Sequence, residues 1–337
     1  MRVVMMGTGA FAVPTFRALL DSRHAVAGLV TQPARAVPAG HRPPPSPMRV
    51  LAERNLPILA PENVNTDSAR AELAAWEPDV FVVADYGQIL AAATLDVARL
   101  GGVNLHGSLL PKYRGAAPVN WAIYHGESET GVSVIQMIPR IDAGPCLAQA
   151  STPIDPDENS IELEARLAQL GAPLVLATIE ALAAGRVEPL PQDPGLATPA
   201  RRLRKSDGLV DWSRPAEAIR NQIRAMEPWP RTYTFWQRAE VDAMRLILGR
   251  AKVRADDAST WQGLQKPIVP GTVLEAKERL LVATGQGVLE IESMQPAGKR
   301  MLGAGEFLRG HPLKRGDLLG KDEREGRRQR AEGRKEV

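Results

Sequence analysis

An amide side chain and an imidazole stand two residues apart where a β-strand is predicted to end. Asn104 and His106 are separated by one leucine and followed by a turn that begins at Gly107. Because side chains alternate along a strand, Asn104 and His106 leave the sheet on the same face. An amide and an imidazole placed side by side can stabilise the negative charge that develops on an oxygen during acyl transfer.

A carboxylate follows in a turn that contains a glycine, one strand further along the chain. Asp142 precedes Gly144 by two residues in the sequence Asp-Ala-Gly-Pro. A carboxylate beside an imidazole orients the ring and favours its charged form, so we predict that Asn104, His106 and Asp142 form a catalytic site. Aspartate two residues before glycine is also common in turns without a catalytic role, and the spacing alone leaves both interpretations open.

The other histidines and the single cysteine are not predicted to act in catalysis. His24 lies at a predicted helix end, His41 in a proline-rich loop, and His125 and His311 beside glycine turns, where we expect surface or capping roles. One cysteine, Cys146, excludes a disulfide framework and a thiolate metal site. We therefore predict a reducing, cytoplasmic location and no metal.

The elements that would position the catalytic residues alternate between strand and helix. Predicted strands cover about residues 2–7, 25–30, 79–84, 101–106 and 131–138, and predicted helices cover about 10–21, 46–54, 67–76 and 160–184. This order is typical of an α/β fold with a doubly wound, Rossmann-like, mostly parallel sheet. Such sheets bind ligands beyond the carboxyl ends of their strands, where Asn104 and His106 fall.

Dinucleotide binding is the first alternative, because the first predicted strand runs into Gly7-Thr8-Gly9-Ala10-Phe11-Ala12. Ala12 replaces the third glycine of the dinucleotide fingerprint, and the second predicted strand ends without an acidic residue. A tight strand-to-helix turn is therefore favoured over a nicotinamide site.

Charge divides the chain into two halves. Residues 1–200 hold 14 Lys and Arg against 20 Asp and Glu, whereas residues 201–337 hold 28 against 19, a balance of +9 in the second half. A basic half is typical of polyanion binding, most often to nucleic acid, although a solvated surface gives the same count. The chain is 44% hydrophobic without an apolar run of 18 residues, so no membrane partner is expected.

The second half contains short, β-rich segments separated by turns, which predict a small β-barrel. These segments are about residues 231–237, 242–252, 270–275, 279–284 and 287–293. We predict a catalytic domain over residues 1–186, a proline-rich linker over 187–206, a C-terminal barrel domain over 207–317 and a charged tail over 318–337.

The stretch from Asn104 to Gly115 resembles the formyltetrahydrofolate-dependent formyltransferases. The family pattern Asn-x-His-Gly-Ser-Leu-Leu-Pro-x-x-Arg-Gly is complete there, and the family's Asp-x-Gly turn appears at Asp142. Further along, Pro270–Val273 and Gln295–Arg300 resemble the C-terminal, OB-like domain of the tRNA-specific branch. The resemblance implies transfer of the formyl group of 10-formyltetrahydrofolate to the amino group of methionyl initiator tRNA, by a monomer that releases tetrahydrofolate.

The resemblance also implies which residues bind the substrates. The folate-binding residues would be Ser108, Leu109, Leu110 and Pro111. The tRNA-binding residues would be Arg35, Arg42, Arg201, Arg202, Arg204, Lys205, Lys299 and Arg300. Two departures from the family stand out: the loop at residues 31–47 is rich in proline and has few cations, and Asp85 stands where a small residue is expected.

Three rival functions remain at this stage. The same catalytic residues could formylate a nucleotide-linked amino sugar or a purine-pathway amine, or could release formate from formylfolate. A fold that binds RNA without catalysis is the rival from another class. The basic residues at 201–205 and 299–300 argue against the small-molecule acceptors, and the complete Asn104, His106 and Asp142 set argues against a silent protein.

Overall fold

The computed structural model describes residues 1–34, 46–52, 56–238, 242–254 and 268–321. They form two compact units. The first contains Met1–Ala122, Ser128–Pro156 and Ile161–Arg202, and the second contains Ile123–Glu127, Asp157–Ser160 and the chain from Leu203 onward.

Nine strands belong to the described part of the first unit: β1 (Arg2–Gly7), β2 (Ala25–Val30), β3 (Ile58–Leu59), β4 (Val80–Ala84), β5 (Gly102–His106), β6 (Arg114–Gly115), β7 (Glu129–Gln136), β8 (Cys146–Pro153) and β9 (Pro199–Ala200). Seven of them form one sheet in the order β3-β2-β1-β4-β5-β7-β8. Pairing is parallel from β3 to β5 and antiparallel at β7 and β8. The predicted Rossmann-like, mostly parallel sheet is confirmed.

Helices cover this sheet, which explains why its central strands β1 and β4 are almost entirely apolar. The helices are α1 (Val13–Leu20), α2 (Pro47–Ala52), α3 (Asp67–Ala75), α4 (Ala92–Leu95), α5 (Pro118–Tyr124) and α6 (Ser160–Ala183), with short 3-10 turns at Ala10–Ala12 and Pro194–Leu196. All five residues of β4 are buried, as are five of the six in β1. A strand covered on both faces needs an unbroken apolar run rather than an alternating one.

Helix α6 packs against the strand that carries the predicted catalytic residues. A Cβ atom at Gly171 would come within 2.5 Å of the Leu105 side chain, so glycine lets α6 approach β5 closely. By length and composition α6 could cross a membrane. Its residues Leu163, Leu167 and Val175 are fully buried, as in the core helix of a globular unit.

The second unit is built around an antiparallel sheet. Its strands are β10 (Thr232–Trp236), β11 (Met244–Arg254), β12 (Val273–Ala276), β13 (Leu280–Ala283), β14 (Val288–Pro296), β15 (Leu302–Gly303) and β16 (Leu319–Gly320), and its helices are α7 (Ala216–Ala225) and α8 (Ala304–Gly310), with a 3-10 turn at Lys205–Gly208. The sheet order is β12-β13-β14-β11-β10-β16, with β15 beside β14. A bridge between Thr272 and Leu318 joins the two ends of the sheet, so the sheet curls into the predicted barrel.

The segment predicted as a linker, residues 187–206, is divided between the two units at Arg202. Its first part is tied into the first unit: Leu190 pairs with Cys146, and β9 pairs in parallel with β6. The Thr198 carbonyl accepts from the Arg114 N–H at 2.8 Å, and the Ala200 carbonyl accepts from the Ala116 N–H at 2.7 Å. These bonds between backbone groups hold the proline-rich stretch in place, and no local sequence pattern predicts them. Residues 322–337 of the predicted tail lie outside the described residues.

Candidate active site

The structure brings Asn104, His106 and Asp142 together at the carboxyl end of β5. The Asn104 side-chain amide donates to Oδ1 of Asp142 at 3.3 Å. Nδ1 of His106 lies 3.6 Å from Oδ2 of the same carboxylate, and the backbone N–H of Gly115 donates to that oxygen at 2.9 Å. The side chains of His106 and Asp142 are only 6% and 13% exposed. An amide, an imidazole and a carboxylate therefore converge in a largely buried site.

The antiparallel pairing of β5 and β7 explains how the distant Asp142 reaches the pair. Asn104 lies opposite Ile135, and the chain leaves β7 one residue later. In the turn that follows, Asp142 adopts a φ of +47°. A Cβ atom at Gly144 would lie 1.7 Å from the carbonyl oxygen of Gln136, so glycine is required for the turn to fold back on β7.

The His106 ring is fixed by a carbonyl on its far side. Nε2 lies 2.9 Å from the carbonyl oxygen of Tyr113. A carbonyl can only accept, so Nε2 carries the hydrogen in this contact. The Nδ1 atom is consequently the nitrogen that faces Asp142, at a distance too long for a direct hydrogen bond.

The predicted folate-binding segment is a rigid loop. Its Ser108 and Leu110 side chains are buried, and the Ser108 hydroxyl donates to the carbonyl of Lys112 at 2.7 Å. The Ser133 hydroxyl donates to the carbonyl of Ser108 at 2.7 Å and accepts from the Leu110 N–H at 3.0 Å. The Gln149 amide donates to the Leu110 carbonyl at 2.8 Å. The loop is therefore held in shape from β7 and β8.

The other two residues of the predicted folate segment present surface. Leu109 and Pro111 are half-buried. Ile141, the residue before Asp142, is 57% exposed although it is apolar. Apolar surface beside Asn104, His106 and Asp142 fits a flat aromatic ligand such as the ring of a folate.

Two side chains from residues 190–200 contact the site, and neither was predicted from the sequence. The Gln192 side chain contacts the Asp142 turn and Arg114. The Thr198 hydroxyl accepts from the N–H of Tyr113 at 2.8 Å, next to the carbonyl that holds His106. In both contacts a polar side chain binds a residue more than 45 positions away in the sequence. Hydrophobic periodicity and turn signals are local, so they cannot predict such contacts.

Asp85 lies at the carboxyl end of β4 with its carboxyl group against the turn after β1. Its backbone carbonyl accepts from the Thr8 N–H at 3.0 Å, and a Cβ atom at Gly9 would collide with its carboxylate. Although part of the residue reaches solvent, surrounding protein desolvates the carboxyl group and raises the pKa of Asp85. Burial also raises the pKa of Glu164, and the charge of Asp85 adds to that shift.

The predicted tRNA-binding residues are spread over both units. Arg35 and Arg42 lie outside the described residues. The exposed ones are Arg201 and Arg202 in the first unit and Arg204, Lys205, Lys299 and Arg300 in the second. The Arg201 guanidinium stacks on the Trp121 ring at 4.7 Å from its centre. Arg300 pairs with Glu306, which offsets part of its charge.

No group of three or more His, Cys, Asp or Glu side chains in the described ranges could hold a metal ion. Burial raises the pKa of the Cys146 thiol, and the positive charge of Arg114 opposes that shift only in part. The thiol is therefore not activated as a nucleophile.

Comparisons with known proteins place both units in one family. The formyl transferase family model matches residues 1–179, and the model of the formyl transferase C-terminal domain matches residues 202–312. A methionyl-tRNA formyltransferase of Citrifermentans bemidjiense is 42% identical over 323 residues, which cover 95% of this chain and 97% of that protein. A methionyl-tRNA formyltransferase of Roseiflexus castenholzii is 43% identical over 322 residues, which cover 95% and 99%.

A solved structure agrees with the fold. The N-formyltransferase of Helicobacter canadensis, in complex with folinic acid and dTDP-3-aminofucose, superposes with a TM-score of 0.62 at 16% identity, over 88% of this chain and 99% of that one. At that identity the likeness concerns the fold alone. Both family models and the two relatives match at the level of sequence. These matches show that the chain belongs to the formyl transferase family and, within it, to the methionyl-tRNA formyltransferases.

Proposed function

We propose that this enzyme transfers the formyl group of 10-formyltetrahydrofolate to the amino group of methionyl initiator tRNA, and that Asn104, His106 and Asp142 carry the transfer. The observation that carries the assignment is that Asn104 and His106 both face the Asp142 carboxylate. The Asn104 amide nitrogen lies 3.3 Å from one carboxylate oxygen, and Nδ1 of His106 lies 3.6 Å from the other. Family membership supports the reaction, and the geometry supports the residues.

Asn104 and His106 stabilise the negative charge that develops on the formyl oxygen when the amine attacks. The Asn104 amide has a second N–H besides the one directed at Asp142, and it donates to this oxygen. Protonated His106 donates from Nδ1, because Nε2 is held by the Tyr113 carbonyl. Each such donor contributes about 10²- to 10³-fold in rate.

Asp142 has two tasks. Its negative charge stabilises the protonated His106 ring, and it accepts the proton that the attacking amine loses and returns it to the leaving nitrogen. The Gly115 N–H fixes Oδ2 of the carboxylate at 2.9 Å, so the side chain stays in position between the two tasks.

The formyl donor is the folate co-substrate, which brings the transferable one-carbon group. Leu109 and Pro111 pack against its ring system with their half-buried surfaces, together with the exposed Ile141. Ser108 and Leu110 act by shaping the loop, since both are buried and their polar groups are engaged within the protein. Apolar contact and few polar groups are the usual composition of such a site.

The tRNA is held by the cations at residues 201–205 and 299–300, together with Arg35 and Arg42. These side chains contact phosphates, which gives affinity that falls steeply with salt. We further propose that the enzyme is a cytoplasmic monomer without a membrane partner. We propose a catalytic domain over residues 1–186 and a tRNA-binding barrel over residues 207–317, with residues 190–200 of the segment between them packed against the catalytic domain.

The decisive assay is incubation with 10-formyltetrahydrofolate and methionyl-tRNA, charged on initiator or on elongator tRNA. We expect formylmethionine on the initiator species alone. Formylation of neither species contradicts the proposed reaction, and equal formylation of both contradicts the specificity for the initiator.

A further inference from the structure

The Gln192 side chain makes four hydrogen bonds within the first unit, and together they use its whole capacity. Nε2 donates to the carbonyl oxygens of Asp142 at 2.9 Å and of Gly144 at 2.6 Å. Oε1 accepts from Nε and Nη2 of Arg114 at 3.0 and 2.7 Å. The partners define the orientation of the amide, because carbonyls only accept and a guanidinium only donates.

These hydrogen bonds form a closed network that includes both the backbone and the side chain of Asp142. Gln192 holds the backbone carbonyl of Asp142 and, through Oε1, the side chain of Arg114. The next residue, Gly115, donates its N–H to the Asp142 carboxylate at 2.9 Å. The Asp142 side chain is thus bonded directly to β6, at Gly115, and its backbone is linked to β6 through Gln192 and Arg114.

Asp142 needs this support because of its backbone. A non-glycine residue at a φ of +47° is strained and persists where its surroundings impose it. The Asp142 carbonyl belongs to the peptide plane that follows this residue, and the Gly144 carbonyl lies two residues further along the same turn, so Gln192 holds the turn on the C-terminal side of Asp142. If the turn relaxes, the carboxylate moves away from Asn104 and His106.

We propose that Gln192 is a positioning residue of the transfer site, which holds Asp142 in its left-handed conformation with the carboxylate aimed at Asn104 and His106. The inference rests on the proposed function of these three residues. It assigns a role to a side chain of the segment that the sequence analysis predicts as a linker. Gln192 acts through Asp142 and has no contact of its own with the reacting atoms.

The test is a double-mutant cycle on kcat, measured with 10-formyltetrahydrofolate and methionyl initiator tRNA. We expect Gln192→Ala to lower kcat about tenfold or more, because a small misplacement of a catalytic group is costly, while KM for both substrates stays within about twofold. In the Asp142→Ala background, Gln192→Ala should change kcat by less than about twofold, because its target is already gone.

Two further variants keep the test independent of folding. Gln192→Glu retains an acceptor for Arg114 but has no N–H for the two carbonyls, so we expect the same loss of kcat as with alanine. Asp193→Ala is the matched control: Asp193 accepts from the N–H of Gly195 at 2.8 Å in the same segment, and kcat should stay within about twofold of the unmodified enzyme.

The outcomes separate this inference from the proposed function. Three results would overturn the positioning role while kcat of Asp142→Ala remains strongly reduced: wild-type kcat in Gln192→Ala, wild-type kcat in Gln192→Glu, or losses that multiply in the double variant. Wild-type kcat in Asp142→Ala itself would instead overturn the proposed site. If Gln192→Ala does not fold, Gln192→Glu alone decides.

Discussion

Asp85 and Asp142 are two aspartates of the first unit with nearly the same unusual backbone, at φ values of +45° and +47°. Each follows a strand of the central sheet. Their surroundings differ: the Asp142 carboxylate receives hydrogen bonds from Asn104 and Gly115 and faces His106. The Asp85 carboxyl group is desolvated, accepts only from the backbone of Gly9 among the groups that shift its pKa, and lies close enough to Glu164 to affect it.

The difference teaches what a left-handed aspartate needs in order to act. Donors and an imidazole on three sides stabilise a carboxylate, which suits Asp142 to hold a charge opposite His106. Desolvation favours the neutral form of Asp85, although a backbone hydrogen bond from Gly9 opposes it. Within the described residues, no hydrogen bond joins Asp85 to Asn104, His106 or Asp142. Asp85 and Asp142 can therefore be changed independently.

The largest effect is expected for Asp142→Ala. This change removes the charge opposite His106, the proton acceptor and the bond to Gly115 together, so transfer should slow by on the order of 10³-fold. The measurement is single-turnover formyl transfer with saturating substrates. A Kd for tRNA within about twofold of the unmodified enzyme would show that the loss concerns the chemical step and not the binding of tRNA.

Asn104→Ala should have a smaller effect on the same assay. It removes one donor to the formyl oxygen and leaves the His106–Asp142 pair in place, for a loss of about 10²-fold. Combined with Asp142→Ala, the losses should be less than multiplicative, because the residues act as a unit. An Asn104→Ala rate equal to that of the unmodified enzyme would remove this residue from the mechanism.

The smallest effect is expected for Asp85→Asn, and it concerns stability instead of rate. Burial raises the pKa of Asp85 in the folded chain, so ionisation is easier in the unfolded chain and costs folding free energy. That cost is absent below the unfolded pKa of about 3.9 and develops as pH rises through the folded pKa.

Urea unfolding of Asp85→Asn and of the unmodified enzyme at pH 4.5 and pH 8 tests this sign. The variant should gain free energy of unfolding relative to the unmodified enzyme as pH rises, because asparagine carries no charge. Glu164→Gln is the companion variant, because burial and the charge of Asp85 raise its pKa as well. A relative stability that is constant or falls with pH would contradict the account of Asp85.

The sequence predicts well the parts of this fold that depend on local apolar patterns. The strands β1, β2 and β4 were predictable because their residues are mostly apolar, and β1 and β4 are buried along almost their whole length. Strand β8 was not predicted, because in Cys-Leu-Ala-Gln-Ala-Ser-Thr-Pro small and polar residues prevail and its residues are at most half-buried at the sheet edge.

The candidate site divides in the same way. Asn104 and His106 could be predicted as a pair from alternation along one strand, and the turn glycine Gly144 marked Asp142. The family pattern then named the reaction. The supports of the site, Gln192 and Thr198, could not be predicted, because their bonds to Asp142 and Tyr113 depend on tertiary approach of a stretch that reads as a linker.

The most direct test compares isosteric changes at the two aspartates, Asp142→Asn and Asp85→Asn, in one single-turnover assay with 10-formyltetrahydrofolate and methionyl initiator tRNA. Both remove one negative charge from a left-handed residue and keep its shape. The account predicts a loss of at least about 10²-fold for Asp142→Asn and a rate within about twofold of the unmodified enzyme for Asp85→Asn. Equal rates for the two variants, or a greater loss for Asp85→Asn, would contradict it.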